Sequence, residues 1–193
     1  MIQPFLTNIR RYVSLSDAAR ADLERIARLR QFERRSLVSR PGQIAQTRNY
    51  VVKGAFRSYY VDPSGKEHTI QLSIEDWFIS DFHSYITREP GTLFVESVEA
   101  GTLLQFPYDD IEALCARHVE LSEYFRRTTE RAFAFSRIRV QADISKTAEE
   151  RYRAFYARYP DIVHRMPQYA VASYLGMSAE FLSKIRARMA NGK

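Results

Sequence analysis

The spacing of apolar residues changes period along the chain, and each change marks a different kind of element. In the first 30 residues Ala19, Leu23, Ile26 and Leu29 recur at helical intervals behind Ser16-Asp17, a helix-capping pair. From Phe32 to Pro107 the pattern shortens to strand length, with turn residues between runs. Tyr50 to Val61 reads as one strand with Gly54 as a candidate bulge. Asp62-Pro63-Ser64-Gly65-Lys66 is a turn signal, and His68 to Ser73 is the returning strand. Glu99 to Thr102 makes another turn, between Phe94–Val98 and Leu103–Phe106. Short strands at this spacing predict a compact antiparallel β-roll or barrel.

At Asp109-Asp110 the period returns to that of a helix, with two acids placed to complement its dipole. Leu114, His118, Leu121, Phe125, Thr128, Ala132, Phe135, Arg139 and Ala142 follow at alternating steps of three and four. That heptad-like seam predicts a long dimerisation helix; the other reading is a helix packed along its own roll. After a break near residues 143–145 the rest is helical in composition. Thr147 caps a helix running to about Tyr159, Pro160 stops it, and Pro167 stands at the start of the next. The pattern therefore predicts an α+β chain in three parts. These are an effector-type roll domain with N-terminal helices (1–108), a long linker helix (109–144) and an all-α helix-turn-helix domain (145–193).

Charge gives this division a functional sense. The net charge is +6, and residues 145–193 hold nine basic residues against four acidic ones. The preceding 144 residues hold 20 basic and 19 acidic residues, so nearly all the excess lies in the last part. A polyanion such as nucleic acid is its natural partner, since bound phosphates release counterions. No apolar run reaches the roughly 18 residues of a membrane span, so no membrane partner is expected. Met1 to Phe5 lacks the layout of a signal peptide, and the single Cys115 makes no internal disulfide. Together these readings predict a cytoplasmic protein.

Gln168 to Ile185, QYAVASYLGMSAEFLSKI, meets every requirement of a helix-turn-helix at once. Gly176 suits a tight turn between steeply crossed helices. Ala172, four residues earlier, permits close approach. Val171, Leu175, Met177, Leu182 and Ile185 supply the inner faces, and Ser178 caps the second helix. Ala179, Glu180, Ser183, Lys184 and Arg186 are left to face a major groove. With Gln168, Ser178 and Arg188 they form the predicted DNA-binding set. The competing reading is a helical hairpin that only packs.

With these residues in view, essentially the whole chain resembles the Crp–Fnr family of bacterial transcription regulators. Val52-Lys53-Gly54-Ala55-Phe56-Arg57, then Asp62, Gly65, Lys66 and Glu67, are similar to a stretch of the family's cyclic-nucleotide-binding-like roll. Gln168, Ala172, Leu175-Gly176 and Ser183-Lys184 resemble its DNA-reading motif. The resemblance implies a homodimer, joined here through residues 109–142, that binds palindromic promoter DNA, with RNA polymerase as a further candidate partner. Base-reading positions fall on Ala179, Glu180 and Lys184. Lysine replaces the more usual arginine and alanine stands where some members have arginine, so the operator does not carry over. Only Met189 to Lys193 follow Arg188, so any winged element is expected before Pro167 or to be very short.

The resemblance also implies a phosphate cassette in members that bind cyclic nucleotides: a glycine-glutamate pair opening a short helix, then an arginine. The matching stretch, Asp76 to Tyr85 and Glu89 to Phe94, has no such pair, and Gly91, Thr92 or Leu93 stands at the arginine position. Arg88 falls before the Pro-Gly turn. Standard cAMP binding is thus not expected, and the effector is left open. Trp77, Phe78, Phe82 and Tyr85 form a candidate pocket for another ligand, or are simply core. Cys115 alone does not hold an iron–sulfur cluster. No cofactor and no metal site are expected, though one histidine suffices for haem.

Two other classes remain. A metal-dependent cupin-like roll needs about three clustered histidines, and only His68 and His83 lie in the roll. No Ser–His–Asp order, phosphate loop or HExxH is present, so no enzyme is expected. A small-ligand-binding roll whose basic tail meets protein or RNA is the alternative. Tyr152, Phe155, Tyr156 and Tyr159 beside Arg151, Arg153 and Arg158 are its candidate stacking residues, although their spacing favours a core.

Overall fold

The computed structural model describes residues 2–190. Two helices, α1 (Gln3–Arg10) and α2 (Asp17–Ile26), open the chain. The Ser16 hydroxyl accepts from the Ala19 N–H at 3.2 Å, so the expected cap is present. Ala19, Leu23 and Ile26 are buried as the spacing requires. Leu29 does not continue the helix: Ala27 turns the backbone extended, and Leu29 lies in strand β1 (Arg28–Phe32).

The roll is completed by β2 (Leu37–Ser39), β3 (Thr47–Lys53), β4 (Phe56–Val61), β5 (Glu67–Ser73), α3 (Phe82–Thr87), β6 (Phe94–Ser97) and β7 (Gly101–Pro107). Its strands form two antiparallel sheets, ordered β1-β7-β3 and β2-β6-β4-β5. The single strand expected from Tyr50 to Val61 is therefore two strands in different sheets. Gly54 is the corner between them, not a bulge. Its φ is +96°, and a Cβ there would stand 2.7 Å from the Gly101 Cα. The irregular pairing lies just upstream, between Val51 and Lys53. The turn at Asp62 forms as expected. Its carboxylate accepts from the N–H groups of Ser64 and Lys66, and Gly65 takes a positive φ.

The first core lies between the N-terminal helices and the roll. Phe5, Tyr50, Phe106 and Tyr124 are all fully buried there. The two tyrosine hydroxyls are satisfied: Tyr124 donates to Asn8 at 2.9 Å and Tyr50 to Asp76 at 2.6 Å.

The expected single long helix is broken. α4 (Tyr108–Arg117) ends at His118, whose backbone is extended, and α5 (Val119–Ser145) restarts. His118 Nε2 lies 3.0 Å from an Asp22 carboxylate oxygen on α2. The first part of the predicted seam faces inward. Leu114, Leu121 and Phe125 are buried in the first core. The Thr128 hydroxyl bonds back to its own helix, and Arg139 donates to the Ile70 carbonyl of β5 at 2.7 Å. Packing on the roll describes this face as far as Phe125; beyond it Ala132 is exposed and Phe135, Arg139 and Ala142 are only half-buried. The opposite face of α5 carries Phe133, Val140 and Ile144, 66%, 49% and 83% exposed.

Candidate nucleic-acid interface

The helical end is built from α6 (Ala148–Arg158), α7 (Pro160–Arg165), α8 (Gln168–Tyr174) and α9 (Ala179–Ala190). Lys193 of the basic count lies outside the described residues. Thr147 and Glu150 cap α6 reciprocally, each side chain bonding the other's backbone N–H. Tyr152 is buried, and Phe155, Tyr156 and Tyr159 are half-buried against the same cluster. All four pack on this cluster, as their spacing favours. Pro160 opens α7, and Pro167 caps α8 from one position before its first turn. No strand occurs among the described residues after β7; α7 occupies the space before α8.

Gly176 makes the turn between α8 and α9 with φ +67°. The Met177 N–H donates to the Ala172 carbonyl at 3.0 Å, which tightens that turn. Ala170, Val171, Ala172, Leu175, Leu182 and Ile185 are buried between the helices. Ser178 caps α9 by accepting from the Phe181 N–H at 3.2 Å. Arg151 steadies the turn from α6, donating to the Leu175 carbonyl at 3.1 Å.

The predicted DNA-binding residues do not all stand alike. Glu180, Ser183, Lys184, Arg186 and Arg188 are exposed on α9. Lys184 makes no ion pair among the described residues, whereas Arg188 pairs with Glu149 at 3.1 Å. Glu180 folds back on the helix start, where its own backbone N–H and the Ser178 hydroxyl hold its carboxyl below the usual range. Ala179 is half-buried. Gln168 ties the two helices together: its amide donates to the Ala179 carbonyl at 2.9 Å and accepts from Arg186 at 3.5 Å. Gln168 therefore sets the crossing of α8 and α9 and the place of Arg186. The exposed Phe181 and Tyr169 were not singled out by spacing. A helical wheel of α9 places Phe181 at the flank of the outer face, the one signal that could have found it.

The helical end also rests on the roll. Arg165 forks onto two carboxylates there, Glu75 at 2.6 Å and Glu99 at 2.7 Å, and these raise its affinity for its proton. The Ser173 hydroxyl accepts from the Thr69 N–H and donates to the Glu67 carbonyl, both on β5. The Tyr169 ring covers Arg57, which is buried and paired with Glu67 and Glu96.

Within the roll, the four aromatics proposed as a pocket are dispersed. Trp77 stacks edge-on against Tyr159 of the helical end, and Phe78 packs among Phe5, Tyr50 and Phe125. Tyr85 is fully buried, while Phe82 lies exposed across it. The ordinary core reading holds for three of them. A cavity of about 420 Å³ instead opens beside β3, between the β2–β3 loop and the segment before α3. Ser39, Gln43, Gln46, Thr47 and Asn49 line it, and Asp81 is the one charged residue among its lining. The Asp81 carboxylate accepts from the N–H groups of Ser84, Thr92 and Leu93 at 2.9–3.2 Å. Arg88 is turned to the rim, where it donates to the Ala45 carbonyl. The Arg88 guanidinium is held at the cavity edge by Ala45 and by the Gln46 side chain, both lining residues. His68 is bonded to Asp62 and His83 lies exposed on α3; the two roll histidines do not converge. Among the described residues no three His, Cys, Asp or Glu side chains cluster to hold a metal ion. No helix among them is long and apolar enough to cross a membrane.

This two-sheet roll, entered through helices and followed by α4, has a recognisable counterpart. Residues 29–118 match the cyclic nucleotide-binding domain family. No curated protein matches the sequence. The fold extends beyond that domain. FixK2 from Bradyrhizobium japonicum superposes with a TM-score of 0.77 at 16% identity, over 86% of both chains. A CooA variant from Carboxydothermus hydrogenoformans gives 0.72 at 13% identity, over 96% of this chain and 84% of that one. The c-di-GMP responsive global regulator CLP of Xanthomonas campestris gives 0.69 at 15%, over 92% and 93%. The roll and the helices after it thus share one architecture with these proteins.

Proposed function

We propose that this protein is a DNA-binding transcription regulator of the Crp–Fnr type, acting as a homodimer on palindromic DNA. The observation that carries the reading is the pair α8 and α9. They cross at Gly176 around a buried apolar seam, and α9 presents Lys184, Ser183 and Arg186 outward. A recognition helix needs this arrangement. The likeness of the fold to that of a protein described as a global regulator supports it. The lining of the roll cavity supports a regulator that does not take cyclic nucleotides in the standard way. Selecting bound fragments from genomic DNA is the test: a palindromic consensus is expected, and its absence would reject the reading.

The dimer contact belongs on the outer face of α5 and not on the inward seam. Phe133, Val140 and Ile144 lie on one helical face, and each is exposed far beyond a core residue. Changing Phe133 and Ile144 together to aspartate is expected to halve the mass measured by sedimentation equilibrium. Arg139→Ala, on the inner face, leaves the mass unchanged. An unchanged mass in the double variant would rule out this face.

A further inference from the structure

We propose that Phe181 reads thymine in the major groove, by packing its ring against the base's C5-methyl group. The inference rests on the helix-turn-helix reading and names one feature of its operator. On α9 the apolar residues Leu182 and Ile185 are buried and Met189 is half-buried against the same cluster. Phe181 alone of the large apolar side chains on this helix turns outward, 42% exposed. No aromatic ring or cationic group of the described residues stacks on it. The ring stands on an otherwise polar, basic face, between the exposed Glu180 and Lys184.

Three observations favour duplex DNA as the occupant. Phe181 is the third residue of α9, within the first turn, and the first residues of a recognition helix are those that reach base edges. Its backbone is held in place, because its N–H is the donor in the Ser178 cap. Lys184 follows at three residues on the same edge of the helix, in no ion pair among the described residues, and such a cation suits a phosphate backbone. The phenyl ring has no donor or acceptor, so phosphate and the polar base edges offer it nothing. Thymine's methyl is the one apolar group on the major-groove edge of the bases.

The test begins with the operator recovered by selection from genomic DNA. Each thymine of a half-site is replaced in turn by deoxyuridine, which removes only the methyl. Duplex affinity is measured for the wild type, Phe181→Ala and Phe181→Leu. At one position the wild type is expected to lose about fourfold, the worth of one buried methyl. Phe181→Ala loses nothing further there, and Phe181→Leu keeps part of the dependence. Equal losses in the wild type and Phe181→Ala, or no loss at any thymine, would overturn the assignment. A wild type that binds no duplex at all would instead overturn the helix-turn-helix reading on which it rests. Because the ring is exposed, the circular dichroism of Phe181→Ala should match that of the wild type.

Discussion

Changing Lys184 and Arg186 together to alanine should weaken binding to a duplex operator by at least about tenfold, since a single base contact is worth roughly 1–3 kcal/mol. Both side chains stand exposed on α9, and Lys184 is committed to no carboxylate among the described residues. Arg186 is steered by Gln168, which bridges the two helices. The loss has two parts that salt separates. A lost phosphate contact lowers the slope of log affinity against log salt by about one. A lost base contact lowers affinity for the operator but not for unrelated duplex. Titrations of both duplexes at several salt concentrations measure the two parts. If neither affinity nor slope changes, α9 is not the recognition helix.

The largest effect on stability should come from Arg57→Ala. The Arg57 side chain is 4% exposed, and its guanidinium bonds Glu67 at 2.6 Å and Glu96 at 2.8 Å. The Glu96 side chain is only 14% exposed, so the variant leaves a carboxylate buried without its cation. Breaking such a pair from one side costs about 3–5 kcal/mol. The Tyr59 and Tyr169 rings, both over Arg57, lose their partner as well. Urea unfolding should show a lower midpoint with an unchanged slope. Arg57→Met with Glu96→Gln should recover much of the loss, because the carboxylate left without its cation is then only Glu67, whose side chain is 40% exposed to water. A single-variant loss under about 1 kcal/mol would mean that the pair is hydrated and contributes little.

What could be read from the sequence was what short-range chemistry decides. Ser16, Thr147 and Ser178 each cap a helix where expected, because a cap acts within three residues. The α8–α9 unit was legible for the same reason, its turn, seam and cap falling within 18 residues. Features set by distant partners were not. Tyr50 to Val61 looks continuous, and nothing local says that Gly54 must turn a corner against Gly101. No proline or glycine marks the break at His118, whose partner Asp22 lies 96 residues away. Spacing gave one seam along α4 and α5 without saying whether the roll or a second copy would cover it. The roll aromatics were scattered by tertiary packing: Trp77 went to the interface with the helical end and Tyr85 to the core. Of the candidate DNA residues, Gln168 proved to be a tie between helices, a role visible only once Ala179 was beside it.

Strand β5 lies at the outer edge of its four-stranded sheet, with β4 as its only strand neighbour. Its free edge is met by Ser173 at Thr69 and Glu67, and by Arg139 at Ile70. An uncovered edge of this kind invites pairing with a strand of another molecule. Helices α5 and α8, which supply Arg139 and Ser173, therefore shield this edge from pairing with another molecule. Stripped of that cover, β5 would present its backbone donors and acceptors to edge-to-edge growth.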